Sequence, residues 1–197
     1  MSERKIDRIE GTALPLRGNN IDTDRIIPAR YLKAITFDGL GAHAFEDDRE
    51  SMPDHPFANP VHDAAAILVV NDNFGSGSSR EHAPQALKRR GIAACVGESF
   101  SEIFLGNSTT IGLVCATASA QDIAFLQLLA EKAPSTRMTL SVEGLTIVAA
   151  GRSVELAVPD AVRHALLTGQ WDATGLLLDD FDDVRGVAGS LPYATGF

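Results

Sequence analysis

From Ala64 to Val70 the chain reads Ala-Ala-Ala-Ile-Leu-Val-Val, an unbroken apolar run of strand length, as expected for a strand covered on both faces. A polar, glycine-rich turn follows from Asn71 to Ser79. Arg80 to Arg90 then sets Ala83, Ala86 and Leu87 at helical spacing, with Gly91 placed to stop the helix. Ile92–Val96 predicts a second short strand, Ser101–Leu105 a short helix that ends on Gly106-Asn107-Ser108, and Ile111–Ala116 a third strand. Strands alternating with helices predict an α/β fold with a mainly parallel central sheet flanked by helices. Further on, Ala120–Lys132 is apolar along one helix face and is interrupted by Pro134-Ser135. Thr139–Val142, Leu145–Ala149 and Ser153–Val158 alternate as a C-terminal β-meander. Pro159 opens a helix through Leu167, with Gly169 near its end. Phe37–Pro60, rich in Asp, Gly, Pro and His, reads as a surface loop or insertion, and 179–197 as a solvated surface tail. The expectation is one domain over 1–197, without internal repeats.

Composition narrows the function. A chain of 197 residues with 45% hydrophobic content can bury one substantial core. Lys plus Arg (17) against Asp plus Glu (26) gives 17 − 26 = −9, which argues against nucleic acid or an anionic membrane surface as partner. Met1–Glu10 alternates charged and aliphatic residues without a signal-peptide core, and no window is apolar enough to span a bilayer, so a soluble cytoplasmic protein is expected. Cys95 and Cys115 sit singly in apolar stretches, and His43, His55, His62, His82 and His164 show no paired spacing. The chain is expected to hold no metal by itself.

The chemistry concentrates in Asn73-Phe74-Gly75-Ser76-Gly77-Ser78-Ser79-Arg80-Glu81-His82-Ala83. Glycines let the backbone approach a ligand, and a helix start attracts an anion. Arg80 offers a planar fork for a carboxylate, and Ser78 and Ser79 add hydroxyls. A P-loop would need a lysine that is absent, and a Rossmann fingerprint has Arg80 where the third glycine belongs, although Glu98 stands about twenty residues on. No nucleophile elbow is present, and Ser78 with His82 has no evident orienting acid. His82 reads as a structural hydrogen-bond partner rather than a second base. On this turn alone, helix-capping serines beside a surface arginine remain an equal reading.

Two further segments change the balance. Asp22-Thr23-Asp24-Arg25-Ile26-Ile27-Pro28 precedes Ala29-Arg30-Tyr31-Leu32-Lys33, and Phe100-Ser101-Glu102-Ile103-Phe104-Leu105-Gly106-Asn107-Ser108 follows the turn. Together, in this order, the three segments resemble the small subunits of bacterial 3-isopropylmalate dehydratase, the swivel domain of the aconitase superfamily. The likeness covers roughly residues 5 to 120, with Ser76 standing where bacterial relatives often carry cysteine.

The resemblance implies an aconitase-type swivelling β/β/α domain and a hydro-lyase that interconverts 2- and 3-isopropylmalate in leucine biosynthesis, through dehydration and rehydration. It implies Ser78 as catalytic base and Asp24 as an acid reaching the active site. Ser79 and Arg80, with Gly77 and Thr23, would hold a substrate carboxylate, and Arg30, Tyr31 and Leu32 would lie in the loop that sorts substrates. It also implies a large iron-sulfur subunit as partner, carrying a four-iron four-sulfur cluster whose iron acts on the departing hydroxyl, and a small dicarboxylate as substrate. The alternatives are a related alkylmalate, dimethylmalate or citraconate hydro-lyase, or a carboxylate-binding module without turnover. Ser78, Ser79, Arg80 and Asp24 together favour the enzyme, since a binding module needs no reactive hydroxyl.

Overall fold

The computed structural model describes residues 4–34 and 36–191. In chain order the elements are β1 (Arg8–Pro15), α1 (Thr23–Ile26), α2 (Glu46–Ser51), β2 (Ala65–Val69), α3 (His82–Arg89), β3 (Ala94–Gly97) and α4 (Glu102–Thr110). They continue with β4 (Val114–Thr117), α5 (Ala120–Lys132), β5 (Met138–Ser141), β6 (Thr146–Ala149), β7 (Arg152–Glu155), α6 (Asp160–Thr168), α7 (Ala173–Asp179) and α8 (Phe181–Ser190). Short 3-10 turns cover Ala29–Lys33, Leu40–His43, Pro56–Ala58 and Pro60–His62. The fold is the expected α/β class. All seven strands form one sheet in the order β4-β3-β2-β1-β5-β6-β7, parallel from β4 to β1 and antiparallel from β1 to β7.

Strand periodicity divides the core into two layers. In and just after β2, Leu68 and Val70 face one layer and Ile67 and Val69 the other; Cys95 opposes Ala94 and Val96, and Cys115 opposes Val114 and Ala116. That is why these strands read as unbroken apolar runs. One layer packs against α1, α3, α4 and the 40–57 region, the other against α5, α6 and the meander. Ile123, Leu126 and Ala130 give α5 its buried face, and Ser119 caps it by accepting from Asp122 N at 3.2 Å.

Three expectations need correction. Residues 37–60 are not a loose surface loop: Leu40, Ala44, Phe45 and Phe57 enter the core, and burying each larger side chain contributes about 1.5–3 kcal/mol. The α4 helix does not end on Gly106-Asn107-Ser108 but runs through it to Thr110, because buried Phe104 and Ser108 dock it and tertiary packing overrides glycine's propensity. The third strand consequently begins at Val114, since Ile111 and Gly112 form the turn after α4. The sheet's pivot, β1, was not read as a strand although Arg8 to Gly11 alternates exposed and buried, because Gly11 and Pro15 are residues that strands disfavour. The tail through residue 190 is exposed, as expected, but helical; 192–197 lie outside the described residues. Among the described residues, no helix is long and apolar enough to cross a membrane.

Candidate functional site

The parallel strands all end at one edge of the sheet, and the three singled-out segments leave from the ends of β1, β2 and β3. Loops collect there in open α/β sheets because helical crossovers return the chain to the opposite edge. The segments are bolted together through their backbones. Gly75 N donates to Ile21 O at 2.8 Å, Thr23 N to Ser76 O at 2.9 Å, Phe74 N to Ser99 O at 3.1 Å and Ser101 N to Phe74 O at 3.0 Å. Ser101 also caps α4 and donates its hydroxyl to Gly75 O at 2.6 Å. Gly75 has φ +75°, and a Cβ there would overlap the ring of Phe104, so only glycine fits.

On this frame the sequence-predicted residues separate into distinct roles. Arg80 donates through Nη1 to Asp24 Oδ1, joining side chains 56 positions apart, and its Nη2 lies 3.5 Å from Ser78 Oγ. Arg80 is 16% exposed and Asp24 51%, so the guanidinium is held low in the rim and the carboxylate faces outward. Ser78 and Ser79 are exposed. Thr23, expected to face a ligand, is buried, and its hydroxyl donates to Ser78 O at 3.1 Å; it acts on Ser78 rather than on solvent. Gly77 adopts φ +91° between Asp22 and Ser78, a conformation other residues rarely take. Asp22 accepts from Arg25 N at 2.9 Å as the N-cap of α1.

The helix start contributes less than expected. Helix α3 begins at His82, Ala83 N already donates to Arg80 O at 3.4 Å, and Pro84 has no N–H. The groups at this turn that could meet an anion are therefore the Arg80 fork and the exposed hydroxyls of Ser78 and Ser79. His82 packs the edge of its ring on Phe37, with centroids 5.1 Å apart, and its Nε2 has no partner among the described residues. The expected hydrogen-bond role gives way to aromatic packing.

Arg30 and Tyr31 occupy a separate cluster, both donating to Glu46, while Leu32 is half-buried. Reading the sequence missed Glu46 and Asp48, whose run of acids resembles a solvated face; the neighbouring Phe45 was the available signal. A cleft of about 780 Å³ lined by Leu16, Arg17, Arg25, His55, His62 and Glu131 includes none of Ser78, Ser79 and Arg80. Those three lie outside it, on the open rim formed by the 22–24 and 77–80 segments.

Cys95 and Cys115 are register partners on β3 and β4 and are buried; burial pushes the Cys95 thiol well above its ordinary range. Among the described residues, no group of three or more His, Cys, Asp or Glu is placed to hold a metal.

Residues 4–121 match the aconitase C-terminal domain family, and that class accords with the fold. The chain is 46% identical to the 3-isopropylmalate dehydratase small subunit of Synechocystis sp., covering 96% of this chain and 95% of that one. It is 43% identical to the same subunit from Thermus thermophilus, covering 96% of each. The crystal structure of 3-isopropylmalate dehydratase from Methanocaldococcus jannaschii matches 89% of this chain and 99% of its own, with a TM-score of 0.66 and 25% identity. The chain belongs to the family of 3-isopropylmalate dehydratase small subunits, a membership that implies hydro-lyase chemistry.

Proposed function

We propose that this chain is the small subunit of a cytoplasmic two-subunit hydro-lyase that interconverts 2- and 3-isopropylmalate in leucine biosynthesis. The single observation carrying the proposal is the convergence of Ser78, Arg80 and Asp24, from two segments, on an exposed rim. A fork that can take a carboxylate stands beside a hydroxyl that can take or return the proton on the neighbouring carbon.

A serine hydroxyl is a weak base in water, and a cation within one small side-chain movement of Oγ stabilises the alkoxide once the rim is covered. Asp24 keeps the guanidinium aimed along the rim and leaves its other N–H donors for a substrate carboxylate. Ser79 adds a hydroxyl at the same edge. The four-iron four-sulfur cluster belongs in this reading to a large iron-sulfur subunit, which covers the rim and completes the site. Every residue the present chain contributes serves carboxylate binding, orientation or proton transfer.

The variable arm of the substrate would meet Arg30, Tyr31 and Leu32, where Leu32 offers apolar contact to a branched alkyl group. An unpaired buried carboxylate costs more than the roughly 1–3 kcal/mol gained from a few buried methylenes, so alkylmalates and tricarboxylates should separate clearly. The test measures kcat/KM of the reconstituted complex on 3-isopropylmalate, dimethylmalate, citraconate, citrate and homocitrate, before and after Leu32→Arg. Preference for 3-isopropylmalate, narrowed by the substitution, supports the assignment. A wild-type preference for homocitrate or citrate refutes it.

A further inference from the structure

The 37–60 segment holds a cluster that the proposed chemistry leaves unused. Glu46, the first residue of α2, accepts the Tyr31 hydroxyl and the Arg30 guanidinium on Oε2, and its Oε1 lies 2.9 Å from His43 Nδ1. Asp47 adds a second carboxylate to Arg30 at 2.7 Å. Tyr31 stacks on His43 with ring centroids 4.1 Å apart, and the Arg30 guanidinium lies 5.0 Å from the Tyr31 ring centre. A lone surface ion pair contributes about 0–1 kcal/mol and would not hold a loop. Three partners converging on one carboxylate, only 20% exposed, restrict Arg30 and Tyr31 to one geometry.

The backbone beside Glu46 is specialised as well. Phe45 is fully buried yet takes φ +54°, a left-handed step that costs a non-glycine residue on the order of 1–3 kcal/mol. Its N–H donates to Ile26 O at 2.9 Å, and Asp48 accepts Arg25 Nε and Nη2 at 3.0 and 2.8 Å. Helix α2 is thereby pinned to α1, which carries Asp24, and begins with Glu46 against the 29–33 turn. A merely solvated acidic face would need neither the strained step nor these ties.

We infer that Glu46 is a positioning residue that fixes Arg30 and Tyr31, and with them the 29–33 turn, and so sets how the enzyme sorts substrates by their variable arm. The sorting rests on the function proposed above; the anchoring is a property of this chain alone. Glu46 meets no reacting atom in this scheme, so it acts on KM and on substrate ratios rather than on kcat. The Tyr31 hydroxyl first, then His43 and Arg30, hold the Glu46 carboxyl down to about 2, which keeps the anchor anionic in neutral solution.

Hydrogen exchange on the full chain alone tests the anchor. The turn's amides are protected through Tyr31 N to Pro28 O at 3.0 Å and Ala34 N to Tyr31 O at 3.1 Å. Glu46→Gln should speed their exchange by about tenfold and leave the strand amides unchanged. In the complex with the large subunit, Glu46→Gln should raise KM for 3-isopropylmalate by about tenfold, keep kcat within about twofold and shrink its preference over citrate. Tyr31→Phe removes one donor to the same carboxylate and should shift exchange and preference in the same direction by less. Equal exchange in Glu46→Gln, Tyr31→Phe and wild type overturns the anchor. Faster exchange with an unchanged KM and ratio overturns the sorting role. A wild-type complex that turns over no alkylmalate refutes the proposed function instead, and the exchange result still decides the anchor.

Discussion

The two halves of the sheet share β1 as a pivot, but the parallel strands are buried on both faces and the antiparallel ones mainly on one, and they end their strands differently. In the parallel half, β1, β2 and β3 each run out into a segment of the knot that holds Ser78, Arg80 and Asp24. In the antiparallel half, β5, β6 and β7 are joined by tight turns at Glu143-Gly144 and Ala150-Gly151. Hairpin turns close the ladder and leave no chain free to build a site, whereas parallel strands require crossovers whose first residues gather at one edge. The proposed chemistry therefore falls in one half and support in the other.

Substitutions can break or sharpen this contrast. The largest effect is expected for Ser78→Ala in the reconstituted complex, where kcat should fall by about 10²–10⁴-fold without loss of assembly. Steady-state kinetics beside size-exclusion chromatography checks both. Gly75→Ala comes next, since its Cβ meets the Phe104 ring in left-handed backbone; a loss of about 3 kcal/mol in urea unfolding is expected. Arg80→Lys keeps the charge but loses the fork, so KM should rise by roughly tenfold at nearly constant assembly.

A pH effect should be smaller. The folded value of Glu46 lies below its ordinary 4.5, at about 2, so its contribution to stability is present above about pH 4.5 and fades as pH falls toward 2. Glu131, lowered by its hydrogen bond to Arg17, works in the same direction. Urea midpoints between pH 5 and 3 should therefore drop more steeply for wild type than for Glu46→Gln. Smallest of all, Val148→Thr on the outer face of β6, 43% exposed, should change stability by less than about 0.5 kcal/mol and leave turnover intact. A large loss of turnover there would break the division between the halves.

Legibility in the sequence follows the same division only in part. The strands β2, β3 and β4 were readable because burial on both faces leaves an apolar run, and the meander because its runs alternate between glycine turns. The pivot β1 was overlooked, since the alternation of Arg8 to Gly11 is short and the strand carries Gly11 and Pro15, residues that strands disfavour. Residues 37–60 use short 3-10 turns and one six-residue helix, α2, which buries none of its own residues, so their buried Phe45 and Phe57 passed as loop. At the site, the three motifs pointed to Ser78, Arg80 and Asp24, yet spacing could not tell that Thr23 turns inward or that Glu46 gathers Arg30 and Tyr31. Those facts depend on contacts between segments far apart in sequence or on a left-handed step.

The central claim is that the chain contributes half of a site that a large iron-sulfur subunit completes. The most direct measurement adds increasing amounts of this chain to a fixed amount of cluster-loaded large subunit and follows the interconversion of 3- and 2-isopropylmalate. The account predicts negligible turnover by either subunit alone, a rise that saturates at one chain per large subunit, and no rise with Ser78→Ala. Full turnover by either subunit alone, or an equal rise with Ser78→Ala, would contradict it.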